Sequence, residues 1–503
     1  MKRFLILILV VFLLPASLMW LSCGGSSSGS GSKTSGLSYR AFISNSVTAS
    51  TLAGVYIVNA VNDTRGPLSP ISAGTTPGMM VVTPNLAQTL VFSANGTQFS
   101  DNQFTIIDNA SESAAGHVIL PGMTESFVVS PDSSTTYVAV PTAPVTGQPS
   151  LGAIEVISLS SGAVTAEISC PPLNPNPPNP PPPPVCVTQG QGDQGINQPY
   201  QFLTMGNTGT RILAFSDSQG VDSVADTIAV ITPSSVGTQY PVITFVPGFD
   251  HPVAAFFNSD DTSAYVLNCG AECGGQQASI QQFNLTDNTL GTYIPVCIPG
   301  PAPKSCAGPA AGSVALVNGS TMYIAGTPPF IGGSPQQPCT GETTAAQSCG
   351  LLTILDLSTM SVTNTAPIII TDGYHNRIAL GPNGQLFIGA RTCTEIVPPI
   401  PPPAGAEVRG CLSIYNTLTS TVGSVPPGGV AIPNENGDVT GIQPIVQRGS
   451  GMAQEVVYVV QGGSLWIYDA TIDVLEYNPN DQFNPGEVNG LVGYFIDVKI
   501  VDF

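Results

Sequence analysis

Charge is what this chain lacks most. Only 9% of its 503 residues are Asp, Glu, Lys or Arg, against about a quarter in ordinary soluble domains. Basic residues are the scarcest: 12 Lys and Arg stand against 32 Asp and Glu, for a net charge of −20. So acidic a chain is repelled by nucleic acid and by anionic lipid surfaces, so neither is expected as a partner. Only three histidines and two tryptophans are present. No G-x-S-x-G elbow sits at a strand-to-helix turn, and no phosphate-binding loop, DxDxDG loop or C-x-x-C-H motif occurs. The sequence therefore gives no support for a nucleophilic triad, a nucleotide site, an EF-hand or a c-type haem. Asn434-Glu435-Asn436-Gly437-Asp438 reads as a polar turn, with calcium ligation through its oxygens the alternative. Long amphipathic helical patterns are missing too. Yet 42% of the residues are hydrophobic, so the chain is not disordered.

What is present is a repeat. A run of β-branched and apolar residues followed by a small polar one occurs eight times, as in Val55–Asn59, Phe104–Asp108, Ile154–Ser158 and Ile228–Thr232. It returns at Ile280–Asn284, Leu352–Asp356, Leu412–Asn416 and Leu465–Asp469. Each copy sits within a unit of four strand-like runs separated by turn residues. The unit beginning at Thr124 reads Ser126–Val129, a Ser130-Pro131-Asp132-Ser133 turn, Thr136–Val140, a longer loop, Ile154–Ser158, a Ser160-Ser161-Gly162 turn and Val164–Ser169. Pro presets φ and Asp bonds its own backbone in such turns, and the pattern is that of a β-meander. Four-stranded units cannot bury both faces alone, and closing them into a ring solves the problem. The fold class is therefore all-β, a β-propeller of four-stranded antiparallel blades. Eight blades are favoured; seven follow if the last unit is an appendage. The first unit has runs at Tyr39–Ser44, Val55–Asn59 and Leu68–Ser72 but no strand before them, whereas Tyr494–Val501 alternates cleanly without a unit of its own. Pairing the two closes the ring with a strand from each terminus in one blade.

Residues Val128-Val129-Ser130-Pro131-Asp132, Tyr137-Val138-Ala139 and Val156-Ile157 resemble the bacterial YVTN-type propeller repeat. The likeness is best in the second and third units. The Trp-rich docking signature of quinoprotein propellers is absent. At the N-terminus, Met1-Lys2-Arg3 precedes an apolar stretch that reaches Leu21-Ser22-Cys23-Gly24 and then a Gly/Ser-rich run to Gly36. This is the layout of a secretory signal, and it resembles the bacterial lipoprotein signal; an uncleaved membrane anchor or a simply secreted chain is the alternative. The resemblance implies an acylated Cys23, a signal over 1–22, a tether over 23–36 and a propeller over 37–503. It also implies a protein held in the bacterial envelope, at the outer membrane, through its lipid anchor alone; a monomer is expected.

Setting Cys23 aside leaves ten cysteines in five neighbouring couples: Cys170/Cys186, Cys269/Cys273, Cys297/Cys306, Cys339/Cys349 and Cys393/Cys411. Disulfides suit an exported protein; ten cysteines allow about 945 pairings, and these five couples are the expected ones. Metal binding is the competing idea, but paired C-x2-C units and nearby histidines are wanting.

Strands are lettered a to d from the axis outward. The a–b and c–d turns then share one face, and the b–c and d–a connections share the other. The long segments Pro171–Pro184, Gln336–Gln347 and Val397–Val408, and all five cysteine couples, fall on the b–c/d–a face. That decorated face is either a pre-ordered binding surface or loop growth that is merely tolerated and stapled. On it, Asp250-His251 and Asp372 with His375 precede strand a in two units, so both histidines are expected near the axial channel, for metal binding or acid–base work if they act at all. No cofactor is expected. The function read from these features is a non-catalytic binding or scaffold module for an envelope protein or a glycan. The alternative is a hydrolase resembling lactonase-type propellers, with its site at the axial channel.

Overall fold

The computed structural model describes residues 34–46, 51–94, 102–143, 152–169, 185–188, 200–216, 226–233, 242–331, 334–335, 349–393, 407–409, 411–422, 437–447, 453–470, 474–475, 488 and 491–502. Cys23, most of the expected tether, Cys170 and nearly all of the long Pro-rich segments lie outside the described residues, as do 434–436.

Eight antiparallel sheets stand around a common axis, each built on four strands in the order a-b-c-d. Their innermost strands are Pro77–Val82, Ser126–Val129, Tyr200–Met205, Pro252–Phe257, Val314–Asn318, Tyr374–Leu380, Val439–Gln447 and Tyr494–Ile500. The chain is an eight-bladed β-propeller. Among the described residues there is no α-helix; a 3-10 turn over Gly270–Cys273 is the one helical segment, and no pattern in the sequence announced it.

The recurrent apolar run is strand c. In blade two, Gln103–Asp108 is buried along nearly its whole length, because neighbouring blades cover both faces of the sheet. Strand d, such as Ala163–Ile168, meets solvent and carries small and polar residues. The hydrophobic core is accordingly divided into wedges, one between each pair of adjacent blades. The wedge of Ile445, Val456 and Tyr458 against Ala41, Ile43 and Tyr56 joins blade eight to blade one. Blade eight is therefore integral to the ring.

Closure follows the expected route. Arg40–Ser46 pairs antiparallel with Tyr494–Ile500, in the register Ala41 opposite Ile500. Buried Arg40 adds ion pairs to Glu112 in blade two and to Asp502 beyond the last strand, at 2.7 and 2.6 Å.

Two details differ from the sequence reading. The outer strand of blade one is Thr64–Arg65, and of the run Leu68–Ser72 only Ile71 bridges back, to Val55. Pro67 and Pro70 lack the N–H that a ladder requires. The second detail is a short strand, Val185–Thr188, in the connection from blade three to blade four; it runs parallel to the outer strand of blade four, Val242–Pro247, with Cys186 opposite Ile243. Blade four thus has a fifth strand at its rim. The reason is the open edge of strand d, whose unpaired N–H and C=O groups accept any extended segment that reaches them. Val185-Cys186-Val187-Thr188, rich in β-branched residues and just past the last proline of the tract, is suited to that edge.

The a–b and c–d turns share a device. Leu86, Ser133, Gly209, Asp261, Gly319 and Gly384 hold positive φ in a–b turns, and Asp63, Glu112, Gly162, Asn288, Met360 and Ser420 do so in c–d turns. These are short turns closed by one left-handed residue. Several also tie blades together: Asp261 accepts from the amides of Asn207 and Thr208, and Ser133 Oγ from the amide of Asn85.

Candidate functional site

The decorated face carries every described disulfide. Cys269–Cys273 lies in the b–c connection of blade five, Cys297–Cys306 in the connection from blade five to blade six, and Cys393–Cys411 in the b–c connection of blade seven. Cys349 is also disulfide-bonded, and its expected partner Cys339 lies outside the described residues. The fifth couple is not among the described bridges: Cys186 stands on the rim strand of blade four, and Cys170 lies outside the described residues.

Three loops converge beside blade five. His251 has φ of 54°, an uncommon left-handed conformation, and its Nδ1 lies 3.3 Å from Asp226 and 3.4 Å from Asp250. Asp226 comes from the b–c connection of blade four, a neighbour that sequence spacing gave no means of finding. The Asp250 carboxylate also accepts from the amides of Gln276 and Gln277, and the Cys269 amide donates to the His251 carbonyl. A Cβ on Gly275 would meet the Asp250 carboxylate at 1.9 Å, so glycine is required where the disulfide-closed loop folds over. The ligand atoms of Asp226, Asp250 and His251 lie within 4.8 Å of one another, the single such group among the described residues. Their geometry could hold a divalent cation, but each residue already has a loop-binding role.

The structure places the other expected residues elsewhere. In blade five, Pro252 pairs with Asn268 before a β-bulge; in blade seven the residue at the matching place is His375, paired with Ala390. His251 therefore corresponds to Tyr374, one position earlier. A one-residue offset turns a side chain to the opposite side of a strand, so the two histidines do not converge. His375 is fully buried, and a Cβ on Gly350 of blade six would lie 2.7 Å from its ring. Burial lowers its pKa to about 4, against a weaker pull from the Thr371 backbone, so the ring is neutral. Asp372 lies in the approach to that strand, outside the Asp226–Asp250–His251 group. His117 is exposed on the outer strand of blade two.

A carboxyl that the sequence did not single out is perturbed. Glu272, on the disulfide-closed turn, aims its carboxylate at blade six, where Oε2 lacks a hydrogen-bond partner and would lie 2.4 Å from a Cβ on Gly326. Burial raises its pKa to about 7, partly opposed by hydrogen bonding to the Thr327 backbone.

Large apolar side chains also emerge around the mouth of the axis. Tyr494 and Tyr374 begin the innermost strands of blades one and seven and are 52% and 40% exposed. Met123 precedes that of blade three, Leu52 projects from the first b–c connection, and Val492 precedes Tyr494; all three are exposed. Between Leu465, Val488, Leu491 and Phe495 lies a hollow of about 180 Å³. A larger cavity, about 500 Å³, is lined by Thr262, Gln282, Asn284 and Thr289 on blade five, with no titratable or nucleophilic cluster.

No family model and no curated protein sequence matches the chain. Among solved structures it is similar to the dihydro-heme d1 dehydrogenase NirN in complex with DHE, at 11% identity and TM-score 0.51, covering 92% of this chain and 75% of that one. Hydrazine synthase of Kuenenia stuttgartiensis matches at 12% identity and TM-score 0.47, covering 81% of this chain and 99% of that one. At such identities the likeness concerns the fold.

Proposed function

We propose that this propeller is a non-catalytic binding module of the bacterial envelope, held to the membrane by a lipid on Cys23 and capturing a protein or glycan partner on its decorated face. The observation that carries this reading is the set of exposed tyrosine and aliphatic side chains on the face that carries the disulfides. Leu52, Met123, Tyr374, Val492 and Tyr494 are exposed there, and Tyr374 adjoins the Cys393–Cys411 loop, since a Cβ on neighbouring Gly373 would meet Cys393 at 2.9 Å. On the other face the turns are short, and Val61, Leu86 and Leu418 are exposed one to a turn. Tyrosines supply large contact area at small entropic cost, and restrained loops lose little freedom on association. The hydrolase alternative needs two histidines and acids at one channel, whereas His375 is sealed between blades.

Two measurements test the reading. Labelling with a fatty-acid analogue should mark the chain and vanish in Cys23→Ser. Cross-linking in an envelope fraction should capture a defined partner, and the double variant Tyr374→Ala/Tyr494→Ala should lose it while keeping its melting temperature. Capture unchanged in that variant and under reduction sinks the proposal for this face.

A further inference from the structure

Two of the chain's few cations have no carboxylate partner at ion-pair distance among the described residues, and they share one side of blade seven. Arg377 stands opposite Gly389 in the a–b ladder, and Arg391 lies two residues beyond Gly389 on strand b. Side chains two apart along a strand leave the same face, so both arginines project towards blade eight. How near that blade comes is shown by Gly389, where a Cβ would meet Val439 at 2.4 Å.

The Arg377 guanidinium is held in place. Its Nε donates to the Thr440 carbonyl at 2.8 Å and its Nη1 to the Asn376 carbonyl at 2.9 Å. A guanidinium has five N–H donors, so most remain for another acceptor. Arg391 Nε is buried without a partner. Carboxylates nearby are committed elsewhere: Asp497 accepts from Met80 N, Val498 N and Lys499 Nζ, Asp438 from Thr392 N, and Glu125 from Gln201 Nε2. The remaining described cation in a comparable buried setting, Arg40, has two carboxylates of its own. Desolvation depresses the pKa of Arg377, the Asp497 charge opposes this, and the Arg391 charge adds to the depression.

Burying a guanidinium without a counter-charge is costly, and two arginines on one face match the planar geometry of a carboxylate or phosphate. We propose that Arg377 and Arg391 form an oxyanion site in the cleft between blades seven and eight, receiving a carboxylate or phosphate group of a small ligand. Both residues keep partial exposure, and Tyr374, the cross-strand partner of Arg391, stands at the entrance. The site does not depend on the partner-binding reading, since it concerns a small anion.

Calorimetric titration of the full chain, disulfides intact, with succinate and separately with inorganic phosphate tests this, using chloride at matched ionic strength as the reference. Saturable binding of at least one anion is expected, weakened about tenfold or more in Arg391→Gln and unchanged in Lys304→Gln, whose ammonium lies over the Tyr293 ring. Arg391 is partly exposed, so its variant should stay folded, which circular dichroism verifies. A response to succinate alone identifies a carboxylate ligand, and to phosphate alone a phosphate ligand. No saturable binding of either anion, or equal affinity in Arg391→Gln and the parent chain, overturns the proposal.

Discussion

His251 and Tyr374 occupy the same register position in blades five and seven, one residue ahead of the buried place that Pro252 and His375 fill. Tyr494 holds that position in blade one, ahead of Phe495 and the bulge at Asn45. In these three blades the residue before the bulge stands at the mouth of the axis, while the next residue is sealed between blades.

The closure of the ring should depend on Arg40. Its removal leaves Glu112 buried and uncompensated next to Asp502. Arg40→Met is expected to lower unfolding free energy by about 3–5 kcal/mol, measured by urea denaturation. A loss under about 1 kcal/mol would show that blade closure rests on strand pairing alone.

Stability should vary with pH through Glu272 and His375, in opposite senses. Glu272 is raised to about 7 from 4.5, so its contribution is full below the unfolded pKa near 4.5 and disappears as pH rises through 7. Glu272→Gln should therefore gain on the parent chain between pH 4.5 and 7, by on the order of 3 kcal/mol. His375 is lowered to about 4 from 6.5, so its contribution is present above 6.5 and disappears as pH falls through 4. His375→Leu should lose less stability than the parent chain over that acidic window. Parallel stability–pH curves for variants and parent would contradict both assignments.

Disulfides of different span should contribute differently. Cys393–Cys411 closes a separation of 18 residues and Cys269–Cys273 one of 4. Replacing each pair by serine is expected to cost about 3 and about 2 kcal/mol respectively in the chain-entropy account. Thermal melting of the two double variants gives the order, and a reversed order would place the effect in native-state contacts.

Leu86 holds φ of 59° in the first a–b turn, where Gly209, Gly319 and Gly384 stand in other blades. Leu86→Gly removes the clash of a side chain in that conformation, less the extra chain entropy of glycine. A gain of about 0.5–1 kcal/mol is expected. A destabilised variant would mean that the half-exposed side chain packs more strongly than its backbone is strained.

The scaffold was legible in the sequence because its cause is local and repeated. Strand c is mostly apolar because both of its faces are covered, with Gln281 and Gln282 of blade five the chief exception, and the last strand showed its place by alternating without partners of its own. Loop lengths and cysteine couples located the decorated face, and three couples bond there. Spacing could not reveal that Val185–Thr188 adds to the edge of blade four, because that edge belongs to a strand far along the chain. The site was legible only in part. A bulge in strand a separates His251 from His375 by one register step, and no pattern in one chain announces a bulge. Asp226 reaches His251 only because blades four and five are neighbours in space. Arg377 and Arg391 become a pair through strand register and the approach of blade eight. Periodicity and turn chemistry, acting over a few residues, determined the blades; which side chains meet between blades was decided by the packing of strands far apart in the chain.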